Sequence, residues 1–168
     1  MVPFGLSSAP KLFTKGLRPL VKYWRNSGLK IVVFLDDGWG VNKDFSSTKK
    51  DSDFVLETLQ KCGFLVNMDK SVFIPAQVLQ WLGLMWDLKN GVIAIPTIRI
   101  ENTKNCIMSI LHAFPWVSAR CLAKLAGKLM SMGPVLGNVS LIKTKQFFRV
   151  IEARTSWNGV MNINTCHA

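Results

Sequence analysis

The chain lacks features that several classes of protein require. No apolar run of about eighteen residues occurs, and residues 1–11 are too short and too broken by proline for a signal peptide or membrane anchor. Charged residues make up only 18% of the 168 residues and apolar residues 49%, which excludes a disordered tail. We therefore expect a soluble intracellular chain, in the cytoplasm or nucleus, with one domain or two small ones and no membrane partner.

The chain also has few residues of the kind that bind zinc. Its cysteines form no CxxC pair, and its two histidines lie near neither each other nor such a pair, which argues against a zinc site. Each cysteine lies in or beside an apolar segment, which predicts buried, reduced thiols and a reducing compartment. The cysteines are Cys62, Cys106, Cys121 and Cys166.

Acidic residues are missing from two long stretches of a chain whose net charge is +11. Residues 1–35 hold six basic residues and no acid, and residues 102–151 hold seven basic residues and no acid. Nine of the ten acids lie in residues 36–101. This layout predicts that a polyanion binds on both sides of an acidic chemical centre.

The first basic stretch has the pattern of an amphipathic helix. Residues 7–10 (SSAP) resemble a helix start and residues 26–28 (NSG) a stop, while Gly16 and Pro19 predict a kink between them. Helical spacing puts Leu17 and Trp24 on the face opposite the basic residues. The basic face either contacts phosphate groups or is only a solvated surface, and the pattern leaves both open. It consists of Lys11, Lys15, Arg18, Lys22 and Arg25.

A buried strand and a tight turn follow this helix. Residues 30–35 (KIVVFL) are apolar and β-branched, and the Asp37-Gly38 pair after them is typical of a hairpin turn. The turn therefore carries Asp36 and Asp37 at its tip. An Asp-rich turn alone would explain them, but two adjacent carboxylates repel each other unless a cation offsets their charge, and a divalent metal is the natural cation.

At this point the sequence resembles the reverse transcriptases. Residues 3–10 (PFGLSSAP) and 34–37 (FLDD) resemble motifs B and C of that family. Residues 63–71 resemble motif D, and residues 81–83 (WLG), followed by a hairpin through Asn90 and Gly91, resemble motif E, the primer grip. The residues of these motifs are most similar to those of the DIRS-type retrotransposons, with Ty3-like elements as the near alternative. The resemblance covers about residues 1–155.

The resemblance implies a two-metal nucleotidyl transfer with Mg²⁺ or Mn²⁺, on an RNA or DNA template-primer and a dNTP. Asp36 would be a principal metal ligand, Asp37 a secondary one, and Phe34 would pack beneath the primer end. Gly5 would let the backbone approach the templating pair. Phe4 and Ser7 would contact the nucleotide or template. Lys70 would donate a proton to pyrophosphate, or else is merely an exposed lysine. The primer grip would consist of Trp81, Leu82 and Gly83, which could instead be ordinary sheet core.

The C-terminal half has a helical pattern. Residues 97–113, 117–132 and 139–154 read as three helices, separated at Phe114-Pro115 and Gly133-Pro134, and resemble a polymerase thumb. Ser118 is a candidate N-cap. One helix face is basic, which suits contact with a nucleic-acid backbone or simply a solubilising surface. That face carries Arg120, Lys124 and Lys128.

These observations predict an α+β fold: a partial polymerase palm, with packed helices on an antiparallel sheet, followed by an α-helical thumb. We expect the palm over residues 1–96, the thumb over 97–155 and a tail over 156–168. The family's motif A aspartate precedes motif B, yet no acid occurs before Asp36. We therefore expect a truncated piece of a retrotransposon polyprotein that binds its two metal ions weakly and is inactive alone. A non-catalytic nucleic-acid-binding remnant and an unrelated interaction module are the alternatives.

Overall fold

The computed structural model describes residues 6–163. Helices and antiparallel strands alternate along it, which confirms the predicted α+β class. The chain divides into two compact units, Met1–Gln77 and Val78–Ala168. The division of function into a palm over 1–96 and a thumb over 97–155 stays a prediction, although the sheet over residues 78–94 belongs to the same compact unit as the helices after it.

The first unit consists of a helix, a hairpin and a second helix. Helix α1 (Ala9–Asn26) begins after Ser8 and ends before Ser27, as predicted, and continues through Pro19. Strands β1 (Lys30–Phe34) and β2 (Asp37–Val41) form an antiparallel pair. Helix α2 (Phe45–Lys61) starts at Asp44, whose carboxylate accepts a hydrogen bond from the Ser47 amide and so caps it. A short 3₁₀ turn (Met68–Lys70) follows.

Apolar residues of α1 and β1 form the core of this unit. Leu17, Trp24 and Ile31 are buried, and partly buried residues of α2 pack against them. The indole Nε1 of Trp24 donates a hydrogen bond of 2.7 Å to the Thr58 hydroxyl, which joins α1 to α2. The basic residues of α1 are all exposed, so one face of the helix packs and the other carries charge, as its sequence predicts.

We expect Trp24→Phe to lower the free energy of unfolding by about 1–3 kcal/mol, because it removes the indole hydrogen bond and leaves unfilled volume beside α2. Urea denaturation followed by circular dichroism measures the change. Tyr23→Phe is the matched control, since Tyr23 is 51% exposed. An unfolding free energy equal to that of the wild type would show that the bond between α1 and α2 contributes nothing.

The second unit begins with a three-stranded antiparallel sheet in chain order. Its strands are β3 (Val78–Trp81), β4 (Leu84–Asp87) and β5 (Val92–Ala94). The β4–β5 loop contains Asn90 and Gly91, as predicted. The Asn90 amide and side chain both donate to the Asp87 carboxylate, and these bonds hold the pKa of Asp87 below its ordinary value.

Helices make up most of the rest of the second unit. They are α3 (Thr97–Ala113), α4 (Ala119–Ser131), α5 (Gly133–Leu136) and α6 (Asn138–Glu152). Ser118 caps α4 by accepting from the Cys121 amide, which confirms the predicted N-cap. Val117, Leu122, Val150 and Ile151 form the buried core. A helix suited to spanning a bilayer is not found within residues 6–163.

One local prediction in this unit is wrong. The helix expected to start at Val117 starts two residues later, because β6 (Trp116–Ser118) pairs with β7 (Val160–Asn162). Residues 160–162 form the partner strand of β6, and Met161 packs against the core around Leu122.

The expectation of buried thiols is also wrong for two of the cysteines. Cys62 and Cys121 are exposed, while Cys106 is half-buried, and all three are free thiols. Cys62 lies just beyond the last turn of α2, and Cys121 lies outside the apolar face of α4. Cys166 lies outside the described residues.

Candidate active site

The candidate site centres on the turn between β1 and β2. Phe34 pairs with Asp37, so Leu35 and Asp36 form a two-residue turn. The sequence predicted the turn at Asp37-Gly38, which is wrong. With Asp37 and Gly38 as the two turn residues, the strand register would change and Asp44 would lie opposite the buried Ile31. Asp44, however, is the residue that caps α2. The observed register instead puts Gly40 opposite Ile31 and leaves Asp44 outside the hairpin, where it caps α2.

The backbone of this turn is in an unusual conformation. Leu35 has φ +54°, in the left-handed region that leucine rarely adopts. Such a conformation costs about 1–2 kcal/mol and commonly accompanies functional sites. Its effect here is to place Asp36 at the tip of the hairpin and Asp37 at the start of β2.

Both carboxylates are exposed, and no cation of residues 6–163 is paired with either of them. Among residues 6–163, neither Asp36 nor Asp37 makes an ion pair or a side-chain hydrogen bond. The described part of the chain also contains no cluster of three or more His, Cys, Asp or Glu suited to holding a metal. The oxygen atoms of the two carboxylates are therefore accessible to a cation from solution. Hard divalent cations prefer such oxygen ligands.

A cleft of about 370 Å³ lies beside this turn, between α1 and β1. Three cations of α1 line it together with Leu35 of the turn, over a floor of aliphatic side chains. The Arg25 guanidinium donates to the Ile31 carbonyl from Nε (3.2 Å) and Nη2 (3.1 Å), which fixes it against β1. The lining residues are Thr14, Leu17, Arg18, Val21, Lys22, Arg25, Asn26, Val33 and Leu35.

Other predicted residues of the first unit lie around these elements. Phe34 is 56% exposed and Ser7 is exposed just before α1. Lys70 is exposed at the end of the 3₁₀ turn, where its amide donates to the Asn67 side chain. Lys11 and Lys15 lie on α1 outside the cleft lining. Phe4 and Gly5 lie outside the described residues.

The predicted primer-grip residues form a second tight turn, in the second unit. Trp81 pairs with Leu84, so Leu82 and Gly83 make a two-residue turn with φ +49° and +74°. Positive φ at both positions is typical of the hairpin turns that match the twist of the strands. Gly83 therefore serves the turn between β3 and β4.

Sequence reasoning missed Arg99, which holds this turn. Its Nη1 donates to the Gly83 carbonyl (2.7 Å) and its Nη2 to the Ser131 hydroxyl at the end of α4 (2.5 Å). A cation in the first turn of α3 is unfavourable beside the positive end of the helix dipole. That unfavourable position is consistent with a specific partner for Arg99, although no motif of the sequence marks the residue.

The cations of α4 are less available than the sequence suggested. Arg120 donates to the Asn158 side chain (2.7 Å), and the Lys128 ammonium donates to the Asn102 carbonyl (2.8 Å). Lys124 is exposed and has no such bond within the described residues. Arg120 and Lys128 therefore contribute to the packing of the second unit as well as to its surface charge.

Comparison with known proteins identifies the family. The model of the reverse transcriptase (RNA-dependent DNA polymerase) family matches residues 1–86. The chain is 32% identical over 82 residues to the retrovirus-related Pol polyprotein from transposon opus of Drosophila melanogaster. That match covers 49% of this chain and 8% of the polyprotein. No solved structure matches the chain. Because the family match spans more than half of its residues, including the Asp36-Asp37 turn, the chain belongs to the reverse transcriptase family.

Proposed function

We propose that the chain supplies motifs B to E of the palm, and a helical thumb, to a retrotransposon reverse transcriptase that makes DNA on a nucleic-acid template. The observation that carries this proposal is the Asp36-Asp37 turn, whose exposed carboxylates lie beside a cleft lined by Arg18, Lys22 and Arg25. The motif wording favours a DIRS-type element, with a Ty3-like element as the near alternative. The family match argues against an unrelated interaction module.

The residues of the turn suit a divalent metal. Asp36, at the tip, and Asp37, at the start of β2, would hold Mg²⁺ or Mn²⁺ through carboxylate oxygens. The bound ions supply charge stabilisation at the attacking and leaving oxygens of nucleotidyl transfer. Leu35 and Asp36 form the turn between the paired residues Phe34 and Asp37, which puts the Asp36 carboxylate at the hairpin tip.

The remaining residues of the proposed site bind and orient the nucleic acid. The exposed cations of α1 would neutralise backbone phosphates without reading sequence. Phe34 would support the primer end, and Lys70 would donate a proton to the departing pyrophosphate. Phe4, Gly5 and Ser7 would contact the nucleotide or template. Trp81, Leu82 and Gly83 would contact the primer, and Arg120, Lys124 and Lys128 the backbone of the duplex.

We further propose that the 168-residue chain does not polymerise alone. Two ions need more oxygen ligands than one pair of adjacent carboxylates offers, and no acid precedes Asp36 in the chain. Primer extension on an RNA template, with Mg²⁺ or Mn²⁺, should give no more product than the Asp36→Asn variant gives. Robust synthesis that depends on Asp36 would contradict inactivity while supporting the catalytic role of the turn.

Metal binding is testable without activity. We expect Mn²⁺ to broaden the amide NMR signals of residues 34–38 at about millimolar concentration, a weak affinity in keeping with the short ligand set. Asp36→Asn should abolish the broadening and Asp37→Asn should reduce it. Asp69→Asn, an exposed aspartate in the 3₁₀ turn, is the control. Equal broadening at every exposed aspartate would contradict a metal site at the turn.

A non-catalytic nucleic-acid-binding remnant is the second candidate. The exposed basic face of α1 favours it, because that face binds phosphates with or without a metal site. The two candidates differ in one measurement. A remnant binds RNA with a steep salt dependence that Mg²⁺ leaves unchanged apart from ordinary screening, whereas a palm fragment also shows the Asp36-dependent Mn²⁺ broadening.

A further inference from the structure

We infer that Arg99 is a positioning residue for the Leu82-Gly83 turn, and through it for the proposed primer contact of Trp81. The inference deepens the proposed function and depends on it for the role of the turn. Arg99 lies in the first turn of α3, sixteen residues beyond Gly83 in sequence, and its side chain is half-buried. No motif of the sequence singles it out.

The contacts of Arg99 connect three elements of the second unit. One guanidinium nitrogen donates to the Gly83 carbonyl and another to the Ser131 hydroxyl. Ser131 in turn donates to the Lys128 carbonyl (2.7 Å), so its hydroxyl is satisfied as both donor and acceptor. The β3–β4 turn, the start of α3 and the end of α4 are therefore joined by a single hydrogen-bond chain.

The turn needs such a restraint because its conformation is unfavourable for leucine. Leu82 has φ +49°, which an L-residue with a branched side chain rarely adopts. The fit around Gly83 is equally tight, since a Cβ at that position would lie 2.6 Å from Arg99 Nη1. The guanidinium thus occupies the space that only glycine leaves open, and it holds the carbonyl of the strained turn.

The planar guanidinium, and not its charge alone, performs this role. A guanidinium donates from two nitrogens in a fixed geometry, whereas a lysine ammonium is a single point donor that cannot reproduce that fork. Arg99→Lys therefore keeps the charge and loses the paired contact. Ser131→Ala keeps the bond to Gly83 and removes the connection to α4.

Backbone order at the turn tests the inference directly. In the wild type we expect ¹⁵N order parameters of about 0.85 at Leu82 and Gly83, and in Arg99→Ala and Arg99→Lys values below about 0.6. Ser131→Ala should give intermediate values. Circular dichroism of each variant checks that the helices remain folded. Unchanged order parameters in a folded Arg99→Ala variant would overturn the inference.

Primer-template binding separates positioning from a direct phosphate contact. Because Arg99→Ala removes the preorganised turn, it should weaken the binding of an RNA template with an annealed DNA primer by about tenfold. The salt dependence of this binding should stay unchanged. A lower salt slope with an ordered turn would instead make Arg99 a phosphate ligand and overturn the inference. If Trp81→Ala binds the primer-template as tightly as the wild type does, the proposed primer contact is wrong, and the order parameters alone decide the role of Arg99.

Discussion

Replacing Lys11, Lys15 and Lys22 together by glutamine is expected to weaken the binding of single-stranded RNA by about a hundredfold at about 0.1 M salt. Each phosphate contact to a single strand contributes about 0.7 to the slope of log K against log salt. At about 0.1 M salt, each lost contact therefore lowers the binding constant about fivefold, and three lost contacts lower it about a hundredfold. The three lysines are exposed on α1, and none is tied to a protein acceptor within the described residues. The slope of log K against log salt should fall by about 2.

Fluorescence anisotropy at several salt concentrations measures both quantities. The matched control replaces Lys43, Lys50 and Lys89 by glutamine, which removes the same charge from exposed positions elsewhere. If the control weakens binding as much as the α1 variant does, the effect is one of net charge, and the basic face of α1 is only a solvated surface. A loss confined to the α1 variant places the RNA on that helix.

The largest expected effect on stability is that of Leu122→Ala. Leu122 is 2% exposed and belongs to the core that α4 shares with Val117 of β6 and with Val150 and Ile151 of α6. Removing its buried methyl groups loses transfer free energy and leaves a cavity, which together cost about 2–5 kcal/mol. Partly buried residues of the β7 segment, Met161 among them, pack on the same core.

Urea denaturation measures this loss, with the slope against denaturant serving as a check that the unfolding reaction is unchanged. Leu141→Ala is the control, because Leu141 on α6 is 52% exposed and its truncation should change the free energy of unfolding by less than about 0.5 kcal/mol. Equal effects of the two substitutions would contradict the assignment of Leu122 to a well-packed core.

Local signals in the sequence predicted most of the fold of the first unit. Ser8 and Pro10 mark the start of α1 and Gly28 its end, and the β-branched run before Asp36 forms β1. These signals are short-range: a cap, a proline at a helix start and an apolar run each act within a few residues. The helix α3, bounded by Pro96 and Phe114, was predictable for the same reason.

The errors arose where distant residues decide local structure. Pairing of Val117 with Met161 turns the expected helix start into a strand, and nothing near Val117 in sequence indicates that partner. The β1–β2 turn at Leu35-Asp36 accompanies a buried Ile31 and an Asp44 that caps α2 outside the hairpin, against the local preference of Asp37-Gly38. Tertiary packing overrode turn chemistry in one place and helix propensity in the other.

The residues of the candidate site likewise fall into those that the sequence predicted and those that it did not. Asp36, Asp37 and the basic face of α1 were visible in the sequence because their chemistry is unusual for a turn and for a helix. Arg99 was not, since its role comes from two hydrogen bonds to residues 16 and 32 positions away. A side chain that acts through geometry alone leaves little trace in the order of residues.

Leu35 has a consequence for the evolution of the turn. Glycine at this position would relieve the left-handed strain, so the hairpin would gain about 1–2 kcal/mol if it kept its shape. Glycine would also widen the range of backbone conformations open to the turn, including those that move Asp36 away from the hairpin tip. Selection for fold stability alone would favour glycine at position 35. Selection for a carboxylate at the hairpin tip would instead retain a residue with fewer backbone conformations than glycine.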